Sequence, residues 1–150
     1  MICPAFGYKK RNRALSQNDK IAETRGIQST DRVAENLPFE DAQFDFALMV
    51  TTICFLDDAE TALREAYRIL RPGGSLIIDK DSPIGKLYQE RINESTFYQK
   101  AIFYFVDEVI SYLQKVGFRN FNIIQTIFQD LTDIKNIKSI GLFVVIKATK

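Results

Sequence analysis

Histidine is absent from this chain. Its absence excludes Ser/His and Cys/His nucleophilic catalysis, removes the usual zinc ligand sets, and takes away the commonest general base at neutral pH. Cysteine is scarce: Cys3 and Cys54 lie far apart in unlike settings. They read as two free thiols rather than a disulfide, and Cys54 as a small buried hydrophobe. No apolar run approaches the length of a transmembrane helix, and the first residues lack the apolar core of a secretory signal. The expectation is a cytoplasmic protein with no membrane partner. An excess of one charge is missing too, since 20 Lys+Arg face 19 Asp+Glu for a formal net charge of +1. No global field therefore points to nucleic acid. Glycine is thin and badly spaced for a ligand turn: the seven stand at 7, 26, 73, 74, 85, 117 and 141, no two with GxG spacing.

What is present is centred on Phe44 to Asp81. A chain of 150 residues suffices for one buried core. Phe44 to Val50 is a short, almost unbroken apolar run, as expected of a strand buried on both faces of a parallel sheet. Asp57 and Glu60 have capping-box spacing for a helix start. Leu63, Ala66, Tyr67 and Leu70 follow at i, i+3, i+4, i+7 as one apolar stripe, with Glu60 and Arg64 paired at i,i+4 on the wet side. Arg71-Pro72-Gly73-Gly74 stops that helix, because proline cannot continue it and glycine accepts positive φ. Ser75 to Asp79 is the next strand, and the three pieces make a βαβ unit.

The flanks are read more coarsely. Met1 to Lys20 is polar after a brief apolar start, with Lys9, Lys10, Arg11 and Arg13 clustered and no acid before Asp19. A nucleic-acid arm or targeting segment is one reading. A flexible, solvated basic arm over 1–20 is the preferred one, because no aromatics interleave the charges. Asp19 to Arg25 reads as a helical turn or two ended by Gly26, Ile27 to Val33 as a weak strand, and Ala34 to Asp41 as a loop. Downstream, Ile84, Leu87, Tyr88 and Ile92 share a helical face that Asn93 to Thr96 breaks. Phe97-Tyr98 and Phe103-Tyr104-Phe105 make an aromatic connection. Asp107 and Glu108 open a helix whose stripe is Val109, Tyr112, Leu113 and Val116, with Gly117 at its end. Phe121 to Phe128 and Leu142 to Ala148 are the last two strands, joined by a charged segment from Asp130 to Ser139.

Ala34-Glu35-Asn36-Leu37-Pro38-Phe39, then Phe44-Asp45, then Arg64-Glu65-Ala66-Tyr67-Arg68-Ile69-Leu70-Arg71-Pro72-Gly73-Gly74 resemble the class I S-adenosylmethionine-dependent methyltransferases. The nearest group is the small-molecule branch that includes the quinone-biosynthesis enzymes, the type 11 methyltransferase domain. Gly117-Phe118 extends the likeness, which runs from about Ile21 to the end of the chain. It implies a Rossmann-like α/β fold, mostly parallel with an antiparallel last strand, present here as its C-terminal part over 21–150. It implies S-adenosylmethionine as cofactor and a small-molecule methyl acceptor. Ala34 and Glu35 match positions that flank adenine, and Thr51, Thr52 and Phe55 match the turn lining the cofactor cleft. Phe39 reads as a core plug beneath the loop. Tyr88, Phe97, Tyr98 and Tyr104 stand where the family caps its acceptor, with ordinary aromatic packing as the competing reading. Asp79 and Asp81 end a strand at its carboxyl edge, either as a base toward an acceptor or merely as solvated ends.

In the family a glycine-rich turn follows the first strand and an acid ending the second strand binds the ribose. Neither has a candidate here, so the first two strands and their helices are expected to be missing. Phe44 to Val50 would then be a sheet edge, covered by the N-terminal arm, paired with another chain in self-association, or left to promote aggregation. Two functional readings stay open: a methyltransferase whose cofactor site is incomplete or completed by another chain, and a non-catalytic fragment or partner subunit that kept the scaffold. A basic-armed binding module ranks third.

Overall fold

The apolar run after residue 43 does form a strand, and a sheet grows on both sides of it. The structure, a computed structural model, describes residues 5–6, 33–81, 93, 96, 98–129 and 140–150. Its strands are β1 (Ala5–Phe6), β2 (Phe44–Val50), β3 (Leu70–Asp81), β4 (Arg119–Gln129) and β5 (Ile140–Thr149). Two α-helices span several turns among the described residues, α1 (Ala59–Ile69) and α2 (Val106–Val116). The sheet order is β1-β2-β3-β5-β4. β1, β2 and β3 are parallel, and β5 runs antiparallel between β3 and β4. This is the Rossmann-like methyltransferase arrangement, mostly parallel with an antiparallel last strand.

The edge of β2 is not bare. Ala5 pairs with Leu48 and Phe6 with Met49. A first strand is thus present beside β2, two residues long, where its wholesale absence was expected. Two residues carry no periodicity, so composition could not reveal it. The arm covers the edge at those two positions. The expected elements Asp19–Arg25, Ile84–Ile92 and Asp130–Ser139 lie outside the described residues, as does Ile27–Val33 except for Val33 itself.

β2 departs from expectation in its burial. Phe44, Ala47 and Met49 are buried, but Phe46 is 44% and Val50 48% exposed. The sheet register explains the split. Ala47 and Met49 lie in rows with Leu76 and Ile78 of β3 and with Ala148 and Ile146 of β5. Those rows form one cluster with Leu63 and Ala66 of α1 and with Val109 and Leu113 of α2. Both helices therefore pack on the same face. Phe46 and Val50 point the other way, where no described helix lies. Each Val, Leu, Ile, Phe or Met side chain buried in the cluster contributes about 1.5–3 kcal/mol of transfer free energy, and each alanine less.

The start of α1 is shifted by one residue from the sequence reading. Asp58, not Asp57, is the N-cap: its Oδ1 accepts from the Thr61 backbone N–H at 3.0 Å and its Oδ2 from the Thr61 hydroxyl at 2.6 Å. Thr61 takes the capping place expected of Glu60, which pairs with Arg64 at i,i+4 as expected and also bridges to Lys115 of α2. The far end is shifted by one residue too: Leu70, read as the last of the helical stripe, is the extended cap that opens β3, and Arg71–Gly74, read as a stop turn, lie within that strand. α1 stops at Ile69, and the chain re-enters the sheet at once, Leu70 pairing with Phe44. A bulge over Arg71–Gly74 then restores the register at Ser75, so β3 is longer than its apolar run. Gly73 takes φ +81°, while Gly74 is needed for a different reason: a Cβ there would meet the Arg71 carbonyl at 2.9 Å. In α2, Glu108 accepts from the Phe105 N–H, and Gly117 closes the helix in the left-handed region at φ +119°.

Candidate functional site at the carboxyl edge

Ligand sites in open α/β sheets lie outside the carboxyl ends of the strands. β2 reaches that edge at Val50, opposite Asp79 of β3. Thr51 follows with φ +49°, a left-handed conformation that is rare for a β-branched residue and costs on the order of 1–3 kcal/mol. Hydrogen bonds hold it there. The Thr51 N–H donates to the Asp79 carbonyl at 2.8 Å, and the Cys54 thiol donates to the Thr51 carbonyl at 3.4 Å. Thr52 is buried, with its hydroxyl donating back to the Val50 carbonyl at 2.8 Å. The chain then makes a 3-10 turn over Ile53–Phe55. That turn is tied to the connection preceding α2 by the Ile102 N–H, which donates to the Cys54 carbonyl at 2.8 Å.

The loop 33–43 approaches the same edge. Leu37 is buried, and Phe39 packs edge-on against Phe44 at 5.0 Å, the plug expected beneath the loop. Glu35 Oε1 lies 3.4 Å from the backbone N–H of Asp58, the residue capping α1. This bond fixes Glu35, and with it the stretch bearing Ala34, at the start of α1, three residues beyond Phe55. Asp79 is tied to Thr51 through its carbonyl. The other candidates are not gathered in this way. Tyr98 lies in a short 3-10 turn, Tyr98–Lys100, whose side-chain surroundings are outside the described residues, and so are Tyr88 and Phe97. Asp81 closes β3, with its side chain likewise undescribed. Tyr104 is half-buried, stacked edge-on against Tyr112 at 6.0 Å, and burial pushes its phenol up.

Three features escaped the sequence reading. Asp58 is held below the usual carboxylate range by the hydroxyl and amide of Thr61. Lys80, one residue beyond Asp79, is only 2% exposed on the helix-covered face of β3. Glu65 and Arg68 grip the loop 33–43 from α1. An i,i+3 acid–base pair was a visible signal for the last, though not for its distant partners.

The sequence profile of a family described as "Methyltransferase domain" matches residues 5–78. It begins at the first residue of β1, upstream of the Ile21 limit of the motifs. An uncharacterized protein of Methanocaldococcus jannaschii is 40% identical over 139 residues, covering 87% of this chain and 68% of that protein. The ubiquinone/menaquinone biosynthesis C-methyltransferase UbiE of Bartonella henselae is 40% identical over 67 residues, covering 42% of this chain and 26% of that protein. Three mycobacterial relatives are likewise spanned over only 36% of their length. Among solved structures, a SAM-dependent methyltransferase of Thermotoga maritima, described as a possible histamine N-methyltransferase, superposes with a TM-score of 0.74 at 39% identity. It covers 91% of this chain, which spans 70% of it. With the βαβ unit, the strand order and these likenesses in agreement, the chain belongs to the class I S-adenosylmethionine-dependent methyltransferases.

Proposed function

We propose that this chain transfers a methyl group from S-adenosylmethionine to a small-molecule acceptor. One observation carries the reading: Glu35 accepts from the backbone N–H of Asp58, so the loop bearing Ala34 and Glu35 docks at the start of α1, three residues after the Thr51–Phe55 turn that leaves the carboxyl edge. Bound there, the cofactor supplies a sulfonium-activated methyl group. The residues of that loop suit its adenosine end. Ala34 is short enough to admit a flat ring, and the Glu35 carboxylate offers acceptors. The protein's own contribution is then placement and exclusion of water. Asp79, beside Thr51, is assigned to the acceptor as a polar anchor or proton acceptor. Tyr88 and Tyr98 are assigned to the acceptor by the family likeness.

A second reading is favoured by one specific observation. No two of the seven glycines have GxG spacing, so the family's usual backbone cradle has no counterpart. On that reading the chain is a non-catalytic partner that kept the scaffold. Calorimetric titration with S-adenosylhomocysteine separates the two. Saturable binding in the micromolar range, about −8 kcal/mol, is the expected result. Silence at millimolar ligand would reject the methyltransferase reading in favour of the scaffold.

A further inference from the structure

Arg68, on α1, spends every N–H of its guanidinium. Nε donates to Glu65 Oε1 at 2.8 Å. Nη2 donates to Glu65 Oε2 at 2.8 Å and to the Leu37 carbonyl at 3.1 Å. Nη1 donates to the Phe39 carbonyl and to Asp41 Oδ1, both at 2.7 Å. Five donors in a planar fork meet five acceptors. Glu65 adds a bond of its own, accepting from the Leu37 N–H at 2.9 Å. Two adjacent turns of one helix thus hold both polar groups of the Leu37 backbone, and the Phe39 carbonyl besides.

The gripped segment is the one that bears Ala34 and Glu35. Among the described residues, its far side is held by the 3.4 Å Glu35–Asp58 bond and a turn closed by Asn36 N–H on the Val33 carbonyl. Asp41 is 78% exposed, so its ion pair is the weakest part of the grip. The bonds to backbone are different in kind, because they specify where the loop sits. A bare positive charge at this position would satisfy the carboxylates but not two carbonyls in a fixed plane.

We infer that Glu65 and Arg68 are positioning residues for the adenosine end of the cofactor, acting through the loop that carries Ala34 and Glu35. The inference rests on the methyltransferase reading above and deepens it. Neither residue needs to touch the ligand. Their effect is to hold the loop in the conformation that binding requires, sparing the ordering cost at the moment of association.

The test compares wild type with Arg68→Lys and Glu65→Gln, titrating each with S-adenosylhomocysteine and with methylthioadenosine, which lacks the amino-acid end. Thermal melts monitor folding. Amide exchange at Leu37 reports the loop directly. Both variants should melt as single transitions, exchange the Leu37 amide faster, and bind both ligands about tenfold more weakly, the scale of one lost charge-assisted hydrogen bond. Arg68→Lys, which keeps the charge, should fail to rescue. Affinity equal to wild type in both variants would overturn the positioning role and leave the methyltransferase reading intact. A loss confined to S-adenosylhomocysteine would overturn it too, since the effect would then lie at the amino-acid end. Wild type that binds neither ligand would overturn the methyltransferase reading, and the positioning role with it.

Discussion

Met49 and Val50 are neighbours on β2, yet they should respond to substitution very differently. Met49 is 1% exposed and packs in the cluster beneath both helices. Its replacement by alanine removes three heavy atoms from the interior and leaves a partly filled cavity, a loss of about 2–5 kcal/mol. Val50 is 48% exposed on the opposite face. Val50→Thr keeps the β-branched shape, so strand propensity and volume nearly cancel. A hydroxyl replacing a methyl in contact with water should cost within about 0.5 kcal/mol. Set against a typical domain stability of about 5–15 kcal/mol, the first change is severe and the second close to silent. Urea unfolding followed by circular dichroism measures both, the midpoint shifting at constant slope. A loss above about 2 kcal/mol for Val50→Thr would refute the one-faced burial of β2, because only a covering layer could make that hydroxyl so costly.

Acid should weaken the fold through carboxylates that the native state keeps ionised. Arg68 holds Glu65, and Lys115 with Arg64 holds Glu60, below the ordinary value of 4.5. A depressed native pKa stabilises above the unfolded value and stops doing so as pH falls through the native one. Melting temperature should therefore be level near neutrality and decline below about pH 4.5, and a flat profile down to pH 3 would contradict the pairing. Gly117→Ala places a methyl in the left-handed region, 3.3 Å from the Tyr67 ring, and should cost about 1–3 kcal/mol by thermal melt. Lys150→Met removes an ammonium that donates to the carbonyls of Tyr67 and Leu70, both at 2.7 Å, at the end of α1. A loss of about 1 kcal/mol is expected by the same assay, and an unchanged midpoint would mean that water replaces it freely.

The sequence exposed those parts whose signals are local. β2, α1, α2 and the final strands followed from periodicity, from Gly117 as a stop, and from continuous apolar runs. The cap of α1 was misplaced by one position because Asp57 and Asp58 are chemically alike, and only the fold decides which one faces the free amides. One-sided burial of β2 was illegible for a related reason: Phe46 and Val50 have the same composition whether covered or open. The grip of Arg68 is non-local, its loop partners lying 27 to 31 residues away in the chain. At the candidate site, Thr51 and Glu35 were singled out from motif likeness. Nothing in their identity disclosed the left-handed turn of one or the amide partner of the other.

The bond from Ile102 N–H to the Cys54 carbonyl has a mechanical consequence. It couples the stretch leading into α2 to the strained corner after β2, so neither can be displaced on its own while that bond lasts. A shove on one side is felt at Thr51, whose amide is in turn pinned to β3. Two stretches nearly fifty residues apart thus share one tie at the sheet's rim.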